Sequence, residues 1–453
     1  MTHIFNFTNI PFFPGAPYNI PEKFREILLL LQSFEVAPES ERQMKIIRHI
    51  LLAAVTAVSA ASCSDTLKLD FSEQRQFWNG SQGTATRNPA PDSRRTLIVY
   101  SAGYNNLSSA LRDDIDDISE NYLPEGYGYC DNLLVLAHHS VSDYDYRTDN
   151  PPCLIRLYRN RDGKAVRDTI KTWPEDTRAV DPSTLTDVLS YVKKNFPSKE
   201  YGMIFSSHST GWLPPQFSMR SIGQDGGTGA EMDVKDFAAA IPFRLSYIIF
   251  DACLTGGVEV AYELKDKCEY LVFSSEEILA DGMVYTNITS RLLEENPSNL
   301  IGVAEDYFGH YDSQSGQYRS ALISVVDCSM LDHLADISSG IFGDHAGQLG
   351  GIDPSKVQKL NYQTRYFYDF RDILSRIADE SEMAEIDTAL EDCILYKAHT
   401  PYFFSNKVDR FCGLSMYLPT AVSSSYYRDY LNDYYKDFKW NQATNWISDL
   451  PIY

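Results

Sequence analysis

The chain has 453 residues, 43% of them hydrophobic and 13% aromatic, enough apolar material for one large domain or two ordinary ones. Against 40 basic side chains stand 62 acidic ones, and the net charge of -22 repels nucleic-acid phosphates and anionic lipid headgroups alike. Such a charge disfavours DNA, RNA and a bare membrane surface as partners. It raises the local concentration of cationic peptides, or does no more than keep the protein soluble.

The first informative segment begins at Met44. Lys45 and Arg48 precede an apolar run from Ile50 to Val58, and the small residues Ser59-Ala60-Ala61-Ser62 follow, directly ahead of Cys63. Residues 44–62 therefore read as a signal peptide. Their arrangement resembles a bacterial lipoprotein signal, in which Cys63 becomes the lipid-bearing first residue, although Ala60 stands where leucine is commoner. The apolar run is too short for a membrane-spanning helix, which needs ~20 residues. Residues 1–43 are then expected to be a non-native extension ahead of a true start at Met44. Removing residues 1–62 takes away five basic and five acidic side chains, so the mature charge stays at -22. Residues 63–94 read as a linker.

From Arg95 onward, short apolar β-rich runs alternate with longer amphipathic stretches, which predicts an α/β fold with a mostly parallel sheet flanked by helices. The runs are Thr96–Tyr100, Leu133–Leu136, Leu154–Tyr158, Gly202–Phe205, Tyr247–Phe250, Tyr270–Phe273, Ala321–Val326 and Gly413–Leu418. Helices are expected over Ser108–Glu120, Pro182–Lys194, Val234–Ala240, Val258–Lys265 and Ser298–Tyr311. Beyond Asp327 the pattern turns helical, over Asp332–Phe342 and Asp369–Leu390. Residues 331–453 are read as a helical layer completing the domain of residues 95–330. No internal repeat, Walker-type loop or dinucleotide fingerprint occurs.

Eight cysteines include Cys63, and the remaining seven cannot all pair. Cys153, Cys328 and Cys412 lie in or beside apolar runs, where a free cysteine is most often a small buried hydrophobe. The absence of a CxxC pair leaves zinc and thioredoxin-type chemistry without support. His138 and His139 follow a strand, but no carboxylate or cysteine pattern makes them a metal site. No cofactor is expected.

In an open α/β sheet, reactive groups sit where strands end at their carboxyl edge. The strand through Gly202–Phe205 runs into Ser206-Ser207-His208-Ser209-Thr210-Gly211-Trp212, and the strand through Tyr247–Phe250 runs into Asp251-Ala252-Cys253-Leu254-Thr255-Gly256-Gly257. A histidine and a cysteine thus leave consecutive strands at one edge, the proximity that nucleophilic catalysis requires. Each alone would be an ordinary core or surface residue. The apolar spacing after Cys253 predicts a helix whose N-terminus lies just beyond the thiol and favours the thiolate. Asp251, two residues before Cys253, is expected to face the same site.

His-Ser-Thr-Gly-Trp followed by Asp-Ala-Cys-Leu-Thr-Gly-Gly-Val-Glu resembles the clostripain family of cysteine peptidases, relatives of caspases, legumains and gingipains. The likeness covers roughly residues 95–420, with Tyr100–Leu107, Ser274–Ile278 and Gly413–Tyr417 as supporting matches. It implies a caspase-like fold and a cysteine endopeptidase in which Cys253 attacks the scissile carbonyl and His208 polarises it or protonates the leaving amine. Backbone N–H groups near Ser209 and Cys253 would form the oxyanion hole. Many members carry glycine where Ser209 stands. Asp251, and Asp281 in the loop after the next strand, would line a pocket for arginine or lysine. Such enzymes are often cut between the histidine and cysteine strands, where Arg220 is the only basic residue between His208 and Lys235. Part of the family depends on calcium, but no Asp-rich loop of binding spacing is present. The expected protein is a monomeric envelope peptidase, lipid-anchored or secreted, acting on peptides with basic residues. Two other readings remain open: a peptidase-like lipoprotein that only binds, with Ser209 marking lost activity, and a serine hydrolase using Ser206 or Ser207. The latter lacks a Gly-x-Ser-x-Gly elbow.

Overall fold

A computed structural model describes residues 93–447 apart from 129, 144, 147–149, 215–221 and 362–365. The expected signal peptide, the lipidation residue Cys63 and the processing residue Arg220 lie outside the described residues.

The first half is a run of βα units. Strand β1 (Ser93–Gly103), helix α1 (Ser108–Glu120) and β2 (Asn132–His139) are followed by the β3 (Cys153–Arg159) and β4 (Ala165–Thr172) hairpin. Then come α2 (Pro182–Asn195), β5 (Ser198–Ser206), the small β6 (Ile222–Gln224) and β7 (Glu231–Met232) pair, α3 (Val234–Ala240), β8 (Leu245–Asp251), α4 (Val258–Leu264) and β9 (Cys268–Phe273). Helices α5 (Tyr285–Thr289) and α6 (Leu300–Asp312) lead to β10 (Leu322–Asp327), α7 (Leu331–Asp344) and the short α8 (Ala346–Leu349). The remainder comprises β11 (Phe367–Asp369), α9 (Phe370–Leu374), α10 (Glu380–Cys393), β12 (Ile394–His399), β13 (Tyr402–Phe403), β14 (Asn406–Lys407), β15 (Ser415–Tyr417), α11 (Ser425–Tyr435) and α12 (Lys439–Thr444).

Nine strands form one sheet in the order β12-β10-β9-β8-β5-β1-β2-β3-β4. The five central strands, β9 to β2 in that order, run parallel, and antiparallel strands extend both edges. Side-chain alternation divides the core in two. Leu97 and Val99 of β1 face one side with α1, α5 and α6, whereas Ile98 and Tyr100 face the other with α2, α3, α4, α7 and the C-terminal helices. Both faces of the parallel strands are covered, which is why those strands read as unbroken apolar runs.

Two strands of the main sheet escaped the sequence reading for the converse reason. β4 and β12 are the sheet's edges and alternate between exposed and half-buried residues, so neither carries an apolar run. The run Gly413–Leu418 is a correction of another kind. It is buried, but only Ser415–Tyr417 is a strand, and it pairs with β11 outside the main sheet. Its remaining backbone bonds go to loops far away in the chain, from Ser415 N–H to the Gly256 carbonyl and from Leu418 N–H to that of Tyr366. The helix expected over Asp369–Leu390 is two helices. Asp379 and Glu382 form a capping box that starts α10 afresh.

Candidate active site

Register decides which loops meet. β5 and β8 are parallel neighbours with Ser206 opposite Asp251, so His208 and Cys253 each stand two residues past matched positions on adjacent strands. Both line a cleft of about 180 Å3 together with Asp251 and Leu107. Cys253 is half-buried, and its Sγ lies 3.7 Å from the Ile278 carbonyl oxygen, which it can meet as a weak S–H donor.

The two loops are locked to each other. Gly211 has φ +67°, and a Cβ there would come within 2.3 Å of the Leu254 carbonyl oxygen. Leu254 itself takes φ +60°, held by its N–H donating to the Glu276 carbonyl at 2.9 Å. Trp212 anchors the histidine loop, fully buried among aromatic rings, with Tyr417 at 4.9 Å and Tyr435 at 5.1 Å between centroids. Ser207 binds the same loop to the end of β1, its hydroxyl donating to the Ala102 carbonyl at 2.7 Å.

Ser209 is buried, and its hydroxyl accepts from the Gly211 N–H at 2.9 Å. Among the described residues only Leu254, Phe404 and Asn445 of the non-glycines have positive φ, so Ser209 occupies a backbone conformation that needs no glycine.

The thiol does not sit at a helix terminus as expected. Leu254, Thr255, Gly256 and Gly257 separate Cys253 from α4, a helix of seven residues with Glu259 in its first turn. A short helix at that remove, with a carboxyl at its start, gives the thiolate little dipole support, because the effect fades within the first turn.

His208 has a partner that sequence reasoning did not single out. Its Nε2 lies 2.6 Å from Oδ1 of Asn106, in the loop between β1 and α1. An N–H on Nε2 can donate to this oxygen. Asn106 lies within the Tyr100–Leu107 stretch, but nothing in the spacing marked it above its neighbours.

Asp251 is 6% exposed and accepts from the Tyr285 hydroxyl at 2.8 Å, which in turn meets the Ser206 hydroxyl at 2.8 Å. Burial pushes its carboxyl up to about 6, against the pull of Tyr285, Ser206 and the Met283 N–H. Gly282, at φ +64°, passes so close that a Cβ would lie 2.8 Å from Asp251 Oδ2. Asp281 is exposed at the turn beside the cleft, whose wall takes Ala280 and Gly282 instead. A second buried acid, Asp114 of α1, acts on the same Tyr285. Its signal was available in the sequence: an acid on the apolar stripe Leu111, Ile115, Ile118.

His138 and His139 are built into the core. His138 stacks on Tyr104 at 4.6 Å and its Nδ1 accepts from the Ala179 N–H at 3.3 Å, while His139 Nε2 meets Ser101 Oγ at 2.8 Å. Burial pushes them down to about 4 and about 3 respectively.

Residues 99–451 match the model of the clostripain family. The chain belongs to the clostripain family. Clostripain of Hathewaya histolytica is 25% identical over 242 residues, which make up 47% of this chain and 44% of that protein, so the chain spans less than half of its length. A solved inactive zymogen of a C11 protease from Parabacteroides distasonis is 27% identical, with a TM-score of 0.66 over 79% of this chain and 99% of that one. The secreted C11 cysteine protease iotapain of Bacteroides thetaiotaomicron is 25% identical, with a TM-score of 0.66 over 79% of this chain and all of its own. A secreted C11 cysteine protease from Bacteroides thetaiotaomicron in complex with an irreversible peptide inhibitor is also 25% identical, with a TM-score of 0.65 over 78% of this chain and 99% of that one. The clostripain-family chain shares with these proteins the mostly parallel sheet and its flanking helices, and no helix among its described residues is long and apolar enough to cross a membrane.

Proposed function

We propose that the chain is a cysteine endopeptidase that cleaves after arginine, and secondarily lysine, through Cys253 and His208. The observation that carries the reading is the pairing of Ser206 with Asp251 on parallel neighbours, which brings the histidine and the cysteine to one cleft. Cys253 Sγ attacks the scissile carbonyl carbon, and backbone N–H groups near Ser209 and Cys253 receive the oxyanion. The C–N bond breaks as His208 passes the proton given up by the Cys253 thiol to the departing amine. Water then hydrolyses the thioester, releasing the new carboxyl end and restoring the thiol.

Specificity rests on Asp251, with Asp281 adding charge from the rim. A buried carboxyl complements a planar guanidinium through bidentate, charge-assisted hydrogen bonds. The irreversible peptide inhibitor held by the Bacteroides relative supports a cleft open to peptides. A fluorogenic peptide panel varied at the residue before the cut, run on wild type, Cys253→Ala and His208→Ala, tests the assignment. Either alanine variant lowers hydrolysis by several orders of magnitude without loss of folding. Near wild-type turnover in one of them refutes the dyad.

The protein acts as a monomer exported to a bacterial cell envelope, with residues 44–62 removed and lipid on Cys63. Fatty-acid labelling in cells that vanishes in Cys63→Ala checks the anchor. Activation follows cleavage after Arg220, a reading that the inactive zymogen among its relatives supports. Mass spectrometry showing an intact chain with full activity would remove that step. The surface-binder alternative loses ground because Ser209 strains no backbone, and an arginine-bearing thiol inhibitor that fails to label Cys253 would restore it.

A further inference from the structure

Helix α1 lays Leu111, Ile115 and Ile118 against the sheet, and Asp114 falls on the same buried stripe. Asp114 is 8% exposed, and its Oδ2 is buried with no hydrogen-bond partner. A carboxyl so placed costs free energy until something meets it. Leu111, one helical turn earlier, and Leu107 before it line the Cys253 cleft, as does Asp251. Tyr285 connects the two acids, since its hydroxyl donates to Asp251 Oδ2 and both carboxyls act on it. The charges acting most strongly on Asp114 are Asp251, Asp117, Asp113 and Asp281, all acidic. Burial and Asp251 together push Asp114 up to about 9, as expected of two carboxyls with no cation between them. Among the described residues no ion pair reaches either acid.

We propose that Asp114 is a specificity-determining residue of this cleft. A basic substrate side chain passes Leu107 and Leu111 and ends between the Asp251 and Asp114 carboxyls, supplying the partner that Asp114 Oδ2 lacks. The inference rests on the reading that the cleft takes an arginine or lysine side chain. It adds a reason for arginine to lead. A guanidinium carries five N–H donors in a planar fork and can serve two carboxylates at once, whereas the compact ammonium of lysine on its flexible stem is less suited to bridging them.

Three fluorogenic peptides that differ only before the cut test this, with arginine, lysine or citrulline, the neutral isostere of arginine. In the full chain, Asp114→Asn should lower kcat/KM for the arginine peptide ~10- to 100-fold, chiefly through KM, and leave the citrulline peptide nearly unchanged. The arginine-to-citrulline ratio is taken on one enzyme sample, so the fraction of folded molecules cancels. Asp114→Ser, which removes the carboxyl altogether, carries the same expectation should the asparagine variant fold poorly. If wild type prefers arginine over citrulline and these variants keep that preference, the Asp114 assignment is wrong and the basic pocket stands. If wild type shows no such preference, the basic-pocket reading fails and takes the Asp114 assignment with it.

Discussion

The carbonyl oxygen of Leu254 lies where Gly211 has room for nothing larger than hydrogen, so the loop after His208 and the loop after Cys253 are packed backbone against backbone. Gly211→Ala meets both a contact of 2.3 Å and a φ of +67°. The variant should lose ~1 to 3 kcal/mol of stability and much of its peptidase activity, because either loop can yield only by moving a residue of the proposed dyad. Urea unfolding beside active-site titration checks this, and an alanine variant that is wild-type in both contradicts the packing account.

Asn106 meets Nε2 of His208, the proposed proton donor, at 2.6 Å, which fits it for a positioning role. Asn106→Ala should lower kcat ~10- to 100-fold with a smaller change in KM, since a misplaced proton donor costs rate more than binding. The exposed position of Asn106 predicts an unchanged melting temperature. A variant with normal kcat would leave the hydrogen bond without a catalytic role.

Asp251→Asn removes the buried charge expected to face the substrate cation. For arginine peptides the change should cost ~2 to 4 kcal/mol in transition-state binding, while peptides with a neutral residue before the cut suffer much less. Kinetics on a matched peptide pair separate this from a structural role. A uniform loss across both peptides would mean that Asp251 serves only to hold Tyr285 and the Gly282 turn.

Glu259 is fully buried behind the cysteine loop, accepting from the Tyr417 N–H at 2.8 Å and the Tyr435 hydroxyl at 2.7 Å, with Oε2 unpartnered. Burial pushes its carboxyl up to about 7 from the ordinary 4.5. A carboxyl raised on folding favours the protonated form in the native state, so its contribution is complete below pH ~4.5 and is lost as pH rises through about 7. Across that window wild type should lose up to ~3 kcal/mol relative to Glu259→Gln, which has no proton to give up. Denaturant midpoints of both proteins at pH 5 and pH 8 measure the difference. A gap between them that does not change with pH would refute it.

The sequence by itself determined the elements whose pattern is imposed by burial on both faces. β1, β2, β5, β8 and β9 are legible because an unbroken apolar run has no other place in a soluble α/β fold. The strand ends followed from them, and with them His208, Cys253 and Asp251 as the residues to examine. The edge strands β4 and β12 were not legible, since one half-exposed ladder looks like loop text.

What only the tertiary structure decided depends on contacts between segments far apart in the chain. Asn106 precedes His208 by 102 residues, and no local period couples a loop after β1 to a loop after β5. Asp114 on α1 and Asp251 at the end of β8 both act on Tyr285, a relation set by how α1 packs on the sheet and not by spacing along either element. The distance of Cys253 from the start of α4 was likewise settled by the turn that Leu254, Gly256 and Gly257 make against Glu276, Ser274 and Ser415. Periodicity reports which side of an element is dry, and the sheet's topology then determines which dry sides and which loop ends share a site.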